Sequence, residues 1–360
     1  MREAPSVAGK SGDSDPRAAG SRKLRLAMGK LGSLVILIAV WVAFGLTIQG
    51  FATPTNFLNI IRQAAVLSLA AFGQTFAIIS GGIDISVGGI VAVVSSITAL
   101  AAVRLGTLPG FAVGLLSGAA FGTISGFFIA RFRVQPVIAT IGMLSFARGF
   151  GFYITNGQPT LNMPKGFTDL GSSYLGPIPT PAILAVAVML ILHYVLTDTP
   201  FGRAIFAIGS NEEAARLSGI NVTRYKMLAF TMSGLLAGFA SIVLTSRANS
   251  GQPTLGQGME LETIAAVVIG GTSLSGGMGG VLRTVVGVLI IASLGNAMNL
   301  ANVSPYLQQV VIGLAIIVAV LLDNLQKSQI HHNLFRRASL TPRGYGPGAT
   351  MRQRDPGGGS

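Results

Sequence analysis

The sequence predicts an all-α polytopic membrane protein of about ten transmembrane helices, some broken or re-entrant, with one polar helix held outside the bilayer. Three observations predict it. Half of the 360 residues are hydrophobic against 10% charged, and the mean hydropathy of +0.64 is too apolar for a water-facing domain of this length. The apolar residues gather in runs close to the roughly twenty residues that cross a bilayer core. One passage departs from that pattern: Phe201 to Ile220, FGRAIFAIGSNEEAARLSGI, sets Arg203, Glu212, Glu213 and Arg216 close together between two apolar runs.

In chain order, residues 1–32 are rich in Gly, Ser and Arg and read as a disordered cytoplasmic tail. No cleavable signal is evident, because the first apolar run starts only near Ser33. The tail holds a decoy, Ala4 to Ser11, APSVAGKS, which fits a relaxed phosphate-loop pattern. Such a loop must follow a strand and open a helix, and here a Gly/Ser/Asp/Pro run follows instead. Candidate spans then fall at 33–52, 60–80, 87–103, 109–130, 134–153, 181–197, 223–246, 261–274, 280–298 and 305–322, within one domain of 33–323. The third and eighth are short enough to be broken or re-entrant. The fourth carries Gly114, Gly118, Gly122 and Gly126 on one face, a stripe that lets another backbone approach. Gly234 and Gly238 in the seventh repeat it in weaker form. Residues 324–360 form a second basic tail.

Lys and Arg accumulate on the cytoplasmic side of membrane proteins. With the N-terminus inside, Arg62, Arg104, Lys165 and Arg247 face outward, Arg148 lies within a span, and the rest of the 25 fall inside. Both termini are therefore expected in the cytoplasm, and the net charge of +13 is placed beside an anionic leaflet without invoking nucleic acid. Two internal echoes fit the same topology. Gly81–Gly89, GGIDISVGG, resembles Gly270–Gly280, GGTSLSGGMGG, on the inner side, and GQPTL occurs at 157–161 and 251–255 on the outer side.

The chain has no cysteine, and its three histidines, His193, His331 and His332, offer little for a metal site. No nucleophile–base or metal constellation points to an intramembrane enzyme. Carboxylates within spans, Asp84 with Glu260 or Glu262, are fewer than the relays of proton-coupled carriers usually show, which disfavours a proton-coupled secondary carrier and leaves it as the alternative class. Glycines around Asp84 and Ser86 permit a helix break at membrane depth, tolerated only where it is buried in protein or lines a wet cavity. Asp84 thus has two readings, a group facing a polar pathway or an N-cap, and its depth decides between them. Gln74, Gln135, Arg148, Asn156, Glu260 and Glu262 are the other polar groups in or beside spans. Sparse amides and carboxylates of this kind suit a neutral hydroxyl-rich solute, and each singly also reads as a helix–helix hydrogen bond. The polar passage reads as a short amphipathic helix for partner docking, capped by Ser210 or Asn211, with Glu212 and Glu213 in its first turn and Gly219 at its end.

Four blocks carry a family likeness: GQTFAIISGGIDISVGG at 73–89, RFRVQPVIATIGMLSFARG at 131–149, FGRAIFAIGSNEEAARLSGINVTRYK at 201–226 and ELETIAAVVIGGTSLSGGMGG at 260–280. In these the chain resembles the permease subunits of bacterial ABC importers of the ribose and xylose type, in a superfamily shared with branched-chain amino-acid permeases. The resemblance implies a monosaccharide importer of the bacterial inner membrane, built on two permease copies and served by an extracytoplasmic solute-binding protein. It implies no cofactor in this chain, ATP and Mg being used by a partner ATPase. It also implies that Ser210, Asn211, Glu212, Glu213, Ala214, Arg216 and Gly219 belong to the cytoplasmic coupling helix. From their polarity in or beside spans, Gln74, Asp84, Ser86, Gln135, Arg148, Asn156 and Glu260 are the substrate-pathway candidates. Nucleoside, amino-acid and autoinducer cargos remain compatible with the same machinery. Met259 stands where the family often has an aromatic residue, which leaves the substrate less determined.

Overall fold

Helices account for nearly every element of the structure, a computed structural model that describes residues 16–338, with side chains described from 32 to 321. They are α1 (Pro16–Thr47), α2 (Pro54–Ile79), α3 (Val87–Leu105), α4 (Thr107–Arg131), α5 (Pro136–Thr155), α6 (Lys165–Ser172), α7 (Thr180–Asp198), α8 (Pro200–Ser210), α9 (Glu212–Leu217), α10 (Val222–Ala248), α11 (Met259–Ile269), α12 (Val281–Leu300) and α13 (Pro305–Ala338). A two-residue hairpin, β1 (Tyr174–Leu175) and β2 (Ile178–Pro179), lies between α6 and α7. The phosphate-loop decoy and the outer parts of both tails lie outside the described residues. Helices α1 and α13 take in residues 16–32 and 324–338 of the segments read as tails.

Among the described residues seven helices are long and apolar enough to cross a membrane: α2, α3, α4, α5, α7, α10 and α12. The chain is a multi-pass membrane protein. Apolar parts of α1 (Gly32–Thr47) and α13 (Pro305–Leu321) are shorter. Every expected span overlaps a helix, although α1 begins well before residue 33 and α13 runs well past 322, and the two expected to be short behave differently. α3 has 19 residues and reaches spanning length, whereas α11 has 11, about 16 Å of helix against a core of about 30 Å.

The segment before α11 explains that shortness. Residues 249–258 run back along α3. A side chain at Gly251 would meet Ala99 and Ser95, and one at Gly256 would meet Val91 and the Gly88 carbonyl. From Ala99 to Gly88 is about 16 Å of helix, so this loop re-enters the bundle and α11 begins at depth. Gln252 N–H donates to Ser95 Oγ at 3.1 Å and holds the loop there. Gly251 and Pro253 of this loop are buried against the bundle, whereas Thr254 and Gln257 are exposed.

Packing follows the glycines. α4 lies on α10 with Gly118 against Gly234 and Gly238, Gly122 against Gly234, and Gly126 against Met227. A Cβ at Gly118 would sit 2.6 Å from the Gly234 carbonyl oxygen and 2.9 Å from the Gly238 Cα, so only glycine permits this approach. The strong stripe and the weak one are the two sides of a single contact. Interhelical hydrogen bonds add to it: Thr123 with Thr231 at 2.9 Å, Thr75 with Thr284 at 2.7 Å, Thr245 to Ser95 at 2.8 Å, and the paired amides of Asn56 and Asn296 at 2.8 and 2.9 Å. Each contributes about 0.6 kcal/mol on average in membrane bundles. α2 is the most buried span, while α5 and α7 turn apolar residues such as Ile138, Ile141, Leu190 and Ile191 outward, where a bilayer would solvate them.

Each echo meets its own copy. Thr160 and Gly251, one from each GQPTL, form an antiparallel β-bridge with N–H to oxygen distances of 2.8 and 2.9 Å. In the glycine-rich pair, Gly277 N–H donates to the Ile79 carbonyl at 3.0 Å, and Gly276 packs on Gly81 and Gly209.

Candidate functional site

The break between α2 and α3 is closed by Asp84. Its carboxylate is fully buried. Oδ1 accepts from the Ser86 N–H at 2.9 Å and from the Ser86 hydroxyl, and Oδ2 accepts from the Ser233 hydroxyl of α10 at 2.7 Å. The buried carboxamide of Gln74, in the orientation that matches donors to acceptors, donates to the Asp84 carbonyl at 2.9 Å and accepts from its N–H at 3.3 Å. Gln74, Asp84 and Ser86 come together here, joined by Ser233, which sequence reasoning did not single out. Here they tie α2, α3 and α10 together, with both carboxylate oxygens committed to protein.

A second cluster lies at the start of α11. Arg148 of α5 faces Glu260 at 3.8 Å between Nη2 and Oε1, and Glu260 Oε2 lies against Gly88. Arg148 Nη2 and Glu260 Oε2 are buried without a hydrogen bond. Close to the break and at the foot of the re-entrant loop, this ion pair joins α5 to α11.

The other two pathway candidates go elsewhere. Asn156 is exposed in the left-handed conformation at φ 49° and caps the C-terminus of α5. Gln135 is exposed at the N-cap of α5 and lines a cleft of about 220 Å³ with Arg133, Glu212 and Lys226. That places it beside the polar passage and away from Asp84 and Glu260.

The passage 201–220 is two helices, where one was expected. Asn211 at φ −160° and ψ 103° cannot continue α8, and its side chain accepts from Ala214 N–H at 3.0 Å to start α9. Ser210 is the last residue of α8 and donates to the Phe206 carbonyl at 2.8 Å, so the cap is Asn211. α9 ends in a Schellman motif: Ile220 N–H reaches the Ala215 carbonyl and Gly219 N–H the Arg216 carbonyl, both at 3.1 Å, with Gly219 at φ 82°. Ala215 packs inward with Ile208 and Val222, and Leu217 points outward, 82% exposed.

Charge pins this helix to the bundle. Glu212 bonds Arg216 at 3.0 Å and Lys226 of α10 at 2.5 Å, while Glu213 lies 3.9 Å from Arg216. Partial burial works to raise the Glu212 carboxyl, but its bonds to Lys226 and Arg216 outweigh that and hold it below the usual carboxylate range. α9 is thus a six-residue capped peg, tied down on one side and presenting Glu213, Ala214 and Leu217 on the other. Lys226, hidden in sequence at the foot of an apolar span, is the residue that anchors it.

The family described as "Branched-chain amino acid transport system / permease component" matches residues 56–320. Ribose import permease protein RbsC of Bacillus subtilis (strain 168) is 45% identical over 300 residues, 82% of this chain and 93% of that protein. RbsC of Escherichia coli (strain K12) is 40% identical over 301 residues, 81% and 92% respectively. L-arabinose transport system permease protein AraH of the same strain is 36% identical over 313 residues, 86% and 95%. No solved structure matches the chain.

Proposed function

This chain belongs to the branched-chain amino acid transport system permease family, and from that premise we propose that it is the permease subunit of an ATP-driven importer carrying a monosaccharide into the cell. The relatives named for ribose and arabinose supply the substrate class. The observation that carries the mechanism is α9, a capped helix whose outward face presents Glu213, Ala214 and an exposed leucine. It has the form of a peg for a cleft in another protein, and that protein would be the ATPase subunit that uses ATP and Mg.

In this reading α9 is the cytoplasmic coupling helix, with Asn211, Glu212, Glu213, Ala214, Arg216 and Gly219 forming it or its caps and Ser210 ending α8 immediately before it. ATPase closure pushes α9, and the Glu212–Lys226 bond passes the displacement to α10. α10 is packed rigidly on α4 through glycine and is tied by Ser233 to Asp84, so α2, α3 and α4 move with it. The path then alternates in access between two permease copies. α1, α11 with its re-entrant loop, and α13 complete about ten crossings of the inner membrane, with both termini in the cytoplasm. Basic residues near α9, among them Arg131, Arg133, Arg203 and Arg224, support that side as cytoplasmic. The paired GQPTL loops at the other end would lie near the surface where a solute-binding protein delivers its cargo.

Uptake of radiolabelled ribose or arabinose by membrane vesicles containing the complete transporter tests this reading. Uptake is expected to require ATP and to survive a protonophore. Uptake that follows a proton gradient without ATP would refute it.

A further inference from the structure

Three polar side chains face a single cavity with nothing in the described protein to bond. The cavity, about 210 Å³, is lined from α2, α10, α11, α12 and α13. It lies at the far end of α10 from α9: Lys226 holds Glu212 near the first turn of α10, and Arg247 lines the cavity from the last. Gln63, Arg247 and Glu262 make no hydrogen bond or ion pair among the described residues, whereas Asn299 and Gln308 on the same wall bond each other at 2.9 Å. The remaining wall is apolar, with Met259 and Ile291 among it.

Gln63 and Glu262 are half-buried and Arg247 is exposed at the rim, so a carboxylate, a carboxamide and a guanidinium are accessible around an apolar floor and free to bond a solute in place of water. Their chemistry defines the partner. A carboxylate accepts from two neighbouring hydroxyls, a carboxamide both donates and accepts, a guanidinium donates, and the apolar floor suits C–H groups. The acid and the base offset each other, which favours a neutral solute. The volume is below the roughly 300–1,000 Å³ of sites for drug-sized ligands, so the solute is small.

We infer that this cavity is a recognition site for one neutral polyhydroxylated solute, with Glu262 and Gln63 as its specificity-determining contacts and Arg247 at its margin. The inference rests on the transport reading and adds what that reading lacks, a place where the permease itself selects. Sites built to bond a hydroxyl reject analogues without it, because their own groups are then left unpaired.

The full-length protein in lipid nanodiscs would be titrated with D-ribose, L-arabinose and 2-deoxy-D-ribose by saturation-transfer NMR. At least one of the two pentoses should bind, the deoxy sugar at least tenfold more weakly. Glu262→Gln and Gln63→Ala should each weaken binding at least tenfold with an unchanged melting temperature, since neither group is bonded within the protein. Absence of binding in the native protein, or variants that bind as it does, would overturn the assignment. So would a sugar acid that binds better than either pentose. Vesicle uptake separates the two failures. ATP-dependent pentose uptake with unaltered half-saturation in both variants removes the site and leaves the transport reading standing, and no ATP-dependent uptake by the native protein removes both.

Discussion

Replacing Asp84 by Ala distinguishes a structural latch from a group on an open path. The carboxylate accepts from the Ser86 N–H at 2.9 Å, from the Ser86 hydroxyl and from the Ser233 hydroxyl at 2.7 Å, all buried. Alanine strands these donors, and each unsatisfied buried group costs about 1–3 kcal/mol. The Ser233 hydroxyl can turn back to a carbonyl of its own helix, and removing a buried charge recovers part of the loss, which leaves about 2–4 kcal/mol. Asp84→Asn keeps the shape, and a rotated Ser233 hydroxyl can accept from the new amide, so it should cost about 1 kcal/mol. The assay is thermal unfolding of the purified protein in nanodiscs, with size exclusion to follow assembly. Asp84→Ala should melt well below Asp84→Asn and assemble poorly. An alanine variant with native melting and assembly but no transport would refute the latch and return Asp84 to the solute path.

Three further outcomes follow from the geometry. Gly118→Val should destabilise by about 1–3 kcal/mol or more, because its Cβ would meet the backbone of α10, and a melting temperature equal to the native one would contradict the close α4–α10 packing. Leu217→Asp, fully on the surface of α9, should leave melting within about 0.5 kcal/mol while abolishing ATP-driven uptake, and retained uptake would show that α9 is not the contact. Glu212 is held below its unfolded value, so its contribution to docking α9 is complete above about pH 4.3 and fades as pH falls through the lowered value. Amide exchange in 212–217 should accelerate in that acid range, and Glu212→Gln should remove the pH dependence; exchange with no such dependence would contradict the charge anchor.

Much of the helix layout was legible because hydrophobic run length is a strong local signal and α2, α4, α10 and α12 obey it. The cap at Asn211 and the stop at Gly219 were legible for the same reason, since each acts on its own few residues. What escaped was set by distance along the chain. Ser233 lies 149 residues from Asp84, and nothing in its neighbours marks it as the partner. Run length alone could not show that 249–258 folds back along α3, because that depends on Gly251 meeting Ala99 and Ser95 and on Gly256 meeting Val91 and Gly88. Polarity beside a span has several causes: Gln135 and Asn156 stand at the two ends of α5, apart from Asp84 and Glu260, and nothing in their own neighbours shows that placement. The cavity polar groups Gln63, Asn299 and Gln308 were passed over singly, because only their convergence distinguishes them.

The measurement that bears most directly on this account is gentle purification of the native protein and of the Leu217→Asp variant from their own membranes, with quantitative mass spectrometry of bound proteins. An ATPase subunit carrying intact phosphate-binding loops should accompany the native protein in near-equal amount and be lost from the variant. Equal retention by both would move the contact away from α9. A native protein that emerges alone and transports on a proton gradient would contradict the account.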